Sequence, residues 1–119
     1  MTDTPRSYVV SAATISLDAD PLAPDQIVAG SPKVSGHAIR SQHITAGSVD
    51  IGVWQHTAGV STDVEADEVF VVLSGRATIE IADGPTLQVG PGDVGVLAAG
   101  AHTVWTIHED LRKVYVVIG

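Results

Sequence analysis

Residues 52–59 read GVWQHTAG, residues 67–75 read DEVFVVLSG, and residues 90–100 read GPGDVGVLAAG. The first run ends in a turn. The second is an apolar strand closed by Gly75, expected at a tight turn. The third is a Gly-Pro-Gly-Asp turn that feeds another strand. Strand-turn units at this spacing are how a small β-barrel is written in sequence. Glu68 heads the apolar strand, and a buried carboxylate is costly unless something pairs with it. It reads either as a general acid or base, or as a structural acceptor for Arg76, Arg112 or a Trp indole. A pocket-lining role is preferred.

Outward from this stretch, eight short runs are rich in Val, Ile and Thr: HAIRSQHI, VDIGVWQ, EVFVVLS, RATIEIAD, TLQVG, DVGVLAA, TVWTIH and RKVYVVI. Gly, Pro or Asp separate them, which argues for an all-β sandwich or barrel. No stretch carries the 3.6-residue apolar period of a substantial helix. In EVFVVLS, Glu68, Phe70 and Val72 share one face, and Val69, Val71 and Leu73 share the other. Both faces are apolar, so both are expected to be buried. One fills the barrel; the other meets a second sheet, the N-terminal arm or a partner subunit. Residues 1–35 hold four of the six prolines. They read as an extended arm on the barrel or its neighbour, with the first few residues disordered. The barrel is expected over residues 36–119, and a homodimer using the arm and an outer sheet face is the expected assembly.

The order and spacing of the motifs resemble a small single-domain cupin, an antiparallel double-stranded β-helix of the RmlC-like jelly-roll kind. The branch is that of ureidoglycine aminohydrolase-like and ethanolamine-utilisation cupins (DUF861). The residues that carry the resemblance are Gly52, Trp54, Thr57 and Gly59, then Asp67, Glu68, Leu73 and Gly75. Gly92 with Asp93, Gly100 with Trp105, and Arg112, Lys113 and Tyr115 complete it. The resemblance implies a divalent metal held by a His-x-His pair, a glutamate and a third histidine. Glu68 stands at the glutamate position. The paired positions fall on Thr62 and Val64, or on Ser61 and Asp63, and the third on Thr103. With three of four ligands replaced, no metal is expected at the usual site. A fallback set of His56, Glu68 and His102 is the remaining way to hold a divalent ion. The preferred reading makes both histidines exposed turn residues. The third position is one residue past His102, and a one-residue slip in a strand would turn His102 to the other face.

The expected ligand pocket is the barrel interior, lined by Glu68, Phe70, Trp105, His56 and His102. Trp54 reads equally as pocket wall or core. Asp63, Glu65, Asp67 and Glu68 put four carboxylates within six residues, and a solvated loop is the preferred reading. Asp93 is expected to cap its turn, and Arg112 and Lys113 to pair with carboxylates.

Composition narrows the function. The formal net charge is -8, with only six Lys and Arg, so nucleic acid and anionic membrane are not expected partners. There is no cysteine, which excludes disulfides and thiolate chemistry. No signal peptide or membrane span is legible, and a cytoplasmic location is the expectation. No Gly-x-Ser-x-Gly elbow or phosphate-cradling Gly-rich loop is present. The expected function is binding of a small polar metabolite in the barrel. The alternatives are a metal-assisted hydrolase or isomerase acting on a small nitrogen-containing metabolite, and a non-catalytic accessory dimer.

Overall fold

The computed structural model describes residues 6–119; the expectation of disorder at the first few residues falls largely outside them. The chain is an antiparallel β jelly roll with no α-helix among the described residues, as the strand pattern implied. Nine strands follow in order: β1 (Asp18–Ala19), β2 (Ile27–Ala29), β3 (Val34–Ile44), β4 (Gly47–His56), β5 (Gly59–Val64), β6 (Asp67–Ile81), β7 (Thr86–Val89), β8 (Val94–Leu97) and β9 (His102–Ile118). One 3-10 turn, Pro24–Gln26, interrupts the arm.

β9 is the central strand. Its C-terminal half lies between β4 and β6, and its N-terminal half between β5 and β6. β6 in turn carries β8 on its first half and β7 on its second. Two long strands shared in this way curl one sheet into a barrel. The arm adds short strands at both ends: β1 pairs with β3, and β2 with β5.

The structure corrects the sequence reading of Gly75. EVFVVLS and RATIEIAD are one strand, and TVWTIH and RKVYVVI are another. Gly75 marks a bend inside β6, where the register against β9 shifts between Val72 and Ala77. Its φ is +87°, and a Cβ there would collide with the Asp110 carbonyl. The inward parity of β6 changes across this bulge, from Phe70 and Val72 to Ala77 and Ile79. β9 keeps one parity throughout: Thr103, Trp105, Ile107, Leu111 and Lys113 are all buried. The core gathers Phe70, Val72, Ala77, Ile79, Leu97, Trp105, Ile107 and Leu111. Gly95 is required beneath the Phe70 ring, because any Cβ would overlap it.

Within the single chain, neither a second sheet nor the arm covers the outer face of β6 and β8. Val69 and Val71 are each 37 % exposed, and their neighbours Val94 and Val96 are 63 % and 69 % exposed. The arm covers a different part of the barrel's outside. Arg112 donates to the carbonyls of Ala12 and Ile15, which holds the arm beside β4 and β9. The valines of β6 and β8 are left open.

Candidate functional site

The barrel opens into a cavity of about 620 Å³. Strand alternation sets its walls. On β9, Lys113, Tyr115 and Val117 point inward; on β6, Glu68 does; on β5, Ser61 and Asp63 do. Trp54 and Trp105 form an aromatic wall, with ring centroids 5.6 Å apart in an edge-to-face arrangement. The arm closes one side with Asp18, Asp20, Pro21 and Leu22.

The floor is an ion pair. Lys113 Nζ donates to Glu68 Oε2 at 2.6 Å. The same ammonium lies 4.4, 4.6 and 4.7 Å from the ring centroids of Trp54, Phe70 and Trp105. Three ring faces stabilise a cation that burial would otherwise penalise. The partner of Glu68 is therefore Lys113, not Arg76, Arg112 or an indole. Arg76 pairs with Glu109 at the surface, and Arg112 binds Gln55 besides the arm.

A second buried carboxylate is Glu65, only 7 % exposed. Its Oε2 accepts from Thr103 Oγ1 at 2.6 Å and from the Trp105 indole at 2.9 Å. This corrects the solvated-loop reading for Glu65 and Glu68, while Asp63 and Asp67 remain exposed. Asp63 lines the cavity, and partial burial and the nearby Glu65 push its carboxyl above the ordinary value. Asp67 instead accepts from the Ala99 N–H, tying the strand start to the β8–β9 loop. The Tyr115 phenol is raised by burial and by the surrounding Asp50, Glu68 and Asp20. Asp93 accepts from the Gly90 N–H and closes its turn.

The remaining site candidates scatter. Phe70 is fully buried core against Trp105, at 5.8 Å between centroids. His56 is not an exposed turn residue; it is fully buried below Trp54. The Thr57 carbonyl accepts from His56 Nδ1, so Nε2 carries the lone pair that accepts from Ser61 Oγ at 2.8 Å. Burial pushes the imidazole below its ordinary value. His102 begins β9 with outward parity and lines a separate cavity of about 560 Å³ with Thr62 and Glu80. The fallback metal set of His56, Glu68 and His102 is thus not brought together.

The usual cupin ion does not fit the residues present. Glu68 is committed to an ammonium, and Thr103 to Glu65. Among the described residues, no three His, Cys, Asp or Glu side chains converge as metal ligands.

Lys113 pairs with a carboxylate as expected, whereas Arg112 does not and binds the Gln55 side chain and two arm carbonyls instead. Sequence reasoning missed the burial of Glu65, the cavity position of Ser61 and that the partner of Lys113 is Glu68. Lys113 was legible in principle, because it alternates with Tyr115 and Val117 on one strand face. Glu65 carries no local signal. It is loop-borne, and its partners are 38 and 40 residues away.

Among the described residues, no helix is long and apolar enough to cross a membrane. No curated protein matches the chain. Among solved structures, a DUF861-family protein of unknown function from Pseudomonas syringae is similar at 26% identity, with a TM-score of 0.75. That similarity covers 87% of this chain but only 45% of the Pseudomonas protein, less than half of its length. The EutQ protein of Clostridium difficile superposes with a TM-score of 0.68 at 15% identity, covering 92% of this chain and 84% of that one. The Cnp3 cupin domain of Schizosaccharomyces pombe gives 0.67 at 13% identity, covering 93% and 73%. The last two likenesses speak for the fold alone. The family-level match spans residues 45–115, more than half of the chain and both residues of the ion pair at the cavity floor, so the chain belongs to the EutQ-like cupin domain family.

Proposed function

We propose that this protein binds a small polar metabolite carrying a cationic nitrogen, in the barrel cavity and without a metal ion. The observation that carries this reading is the cavity's charge. Asp18, Asp20, Asp63, Glu65 and Glu68 line it, and the one lysine among its lining residues, Lys113, already serves Glu68. An aromatic wall with a few convergent polar groups is the usual make-up of a small-molecule site, and the volume falls in the usual range.

Titration calorimetry with tetramethylammonium and with acetate tests the charge preference. Measurable binding of the cation, weakened severalfold by Asp63→Asn, supports the reading. Preference for acetate, or no binding of either ion at millimolar concentration, overturns it.

A second copy of the chain is the partner we propose for the open valine face. Val69, Val71, Val94, Val96, Val114 and Val116 form cross-strand rows without an ionisable side chain. Two chains that each carry a net charge of -8 repel over most of their surface. An uncharged apolar face is where a like-charged copy docks at least electrostatic cost.

A further inference from the structure

His56 and Ser61 form a buried pair that ligand binding does not require. Ser61 Oγ donates to His56 Nε2 at 2.8 Å, and the Thr57 carbonyl fixes the ring by accepting from Nδ1 at 2.7 Å. A hydroxyl, a base in hydrogen-bond reach and a third group that orients the base are the three parts of an activated nucleophile. Burial lowers the imidazole from its ordinary value, which favours the neutral ring whose Nε2 lone pair accepts from Ser61. Ser61 also lines the cavity.

We propose that Ser61, with His56 as its base, takes the acyl group from a small ester of an amino alcohol held in this cavity. The proposal rests on the cation-binding reading above. Ser61 and Asp63 are two apart on β5 and share its inner face, which sets them about 6.5–7 Å apart along the strand. A cation held by Asp63 and an ester carbonyl at Ser61 are spanned by a two- or three-carbon amino alcohol. The step balances without a further reactant. Ser61 Oγ bonds to the carbonyl carbon, the carbonyl π electrons move to oxygen, and the hydroxyl proton passes to His56 Nε2. The C=O re-forms, the bond to the alcohol oxygen breaks, and the alcohol leaves with the proton from Nε2. Water, deprotonated by Nε2, then attacks the acyl carbon, the bond to Ser61 Oγ breaks, Oγ takes the proton back from Nε2, and the acid leaves.

The full chain is incubated with p-nitrophenyl acetate and, separately, with acetylcholine. The expected result is a p-nitrophenolate burst of about one per chain, an acetyl group mapped to Ser61 by peptide mass spectrometry, and slow release of choline. Ser61→Ala abolishes the adduct yet keeps tetramethylammonium binding and the far-ultraviolet spectrum. Acetylation confined to Lys or Tyr side chains, or no burst, overturns the proposal whatever the variants do. If tetramethylammonium still binds in that case, only the acyl-transfer inference fails. If it does not bind, the ligand reading fails as well.

Discussion

Lys113 Nζ and Glu68 Oε2 lie 2.6 Å apart, with the two side chains 6 % and 12 % exposed. Each is the other's compensation for leaving water. Removing one partner of a buried pair typically costs about 3–5 kcal/mol, because an uncompensated charge remains. Glu68→Ala is expected in that range by urea unfolding. Glu68→Gln keeps an acceptor and costs less, about 1.5–3 kcal/mol. The double variant Lys113→Met with Glu68→Gln is more stable than the sum of the single changes implies. Strict additivity would show that the two groups do not depend on each other.

Glu65 holds two donors at once, Thr103 and the Trp105 indole. Glu65→Ala leaves Thr103 only the longer bond to the Asp63 carbonyl at 3.4 Å and the indole only Thr103 Oγ1 at 3.2 Å, and losing the carboxylate is expected to cost about 1–3 kcal/mol in all. Glu65→Gln keeps an acceptor oxygen and loses less. Tryptophan fluorescence reads the same event, since Trp105 loses its carboxylate partner. An unchanged spectrum and stability in Glu65→Ala would remove this contact from the account.

The fold was largely legible because strand alternation and turn residues are local signals. What misled was Gly75. A glycine that ends a strand and one that bends it look alike in sequence, and only pairing with β9 distinguishes them. The same limit applied to GVSTDV, too polar to stand out as a strand, which becomes β5 by pairing with β9 and β2. In the site, Glu68 and Trp105 were visible from motif position. His102 is exposed, as its preferred reading had it, and does not line the barrel cavity; its face depends on where β9 begins. Glu65 was read as solvated because its burial depends entirely on residues far along the chain.

His56 gives the stability a pH dependence. Its folded-state value is lowered mainly by burial, opposed by the Thr57 carbonyl; Lys113 lowers it further and Asp110 raises it. Between the folded value and the unfolded value near 6.5, the unfolded chain binds the extra proton. Stability therefore rises with pH through this window and is fully present above it. It falls as pH drops below 6.5 toward the folded value. Thermal unfolding between pH 7.5 and 5 measures the slope, and His56→Gln is expected to flatten it. A slope equal in the two proteins would assign it to other groups.

Gly95 is a packing requirement. A Cβ there would overlap the Phe70 ring, which is itself fully buried. Gly95→Ala forces the ring out of place, and overpacking of this kind costs about 1–3 kcal/mol. Pairing Gly95→Ala with Phe70→Leu frees space and is expected to recover part of the loss. Unfolding curves for the three variants check this, and a fully stable Gly95→Ala single variant would contradict the packing.

The open valine face makes the assembly testable without touching the core. Val96 is 69 % exposed and pairs with Val69, in a row that continues to Val116. Val96→Glu places a carboxylate in the centre of the proposed contact, where two copies would bring like charges together. In the isolated chain that side chain is solvated, so the change is expected to stay within about 0.5 kcal/mol of neutral. Sedimentation should therefore show a dimer for the parent and a monomer for Val96→Glu, both folded by circular dichroism. Residue burial gives a second readout. Hydrogen exchange in β8 should slow with protein concentration in the parent, and should not in the variant. A parent chain that sediments as a monomer at high micromolar concentration would leave the valine face without a second copy to cover it.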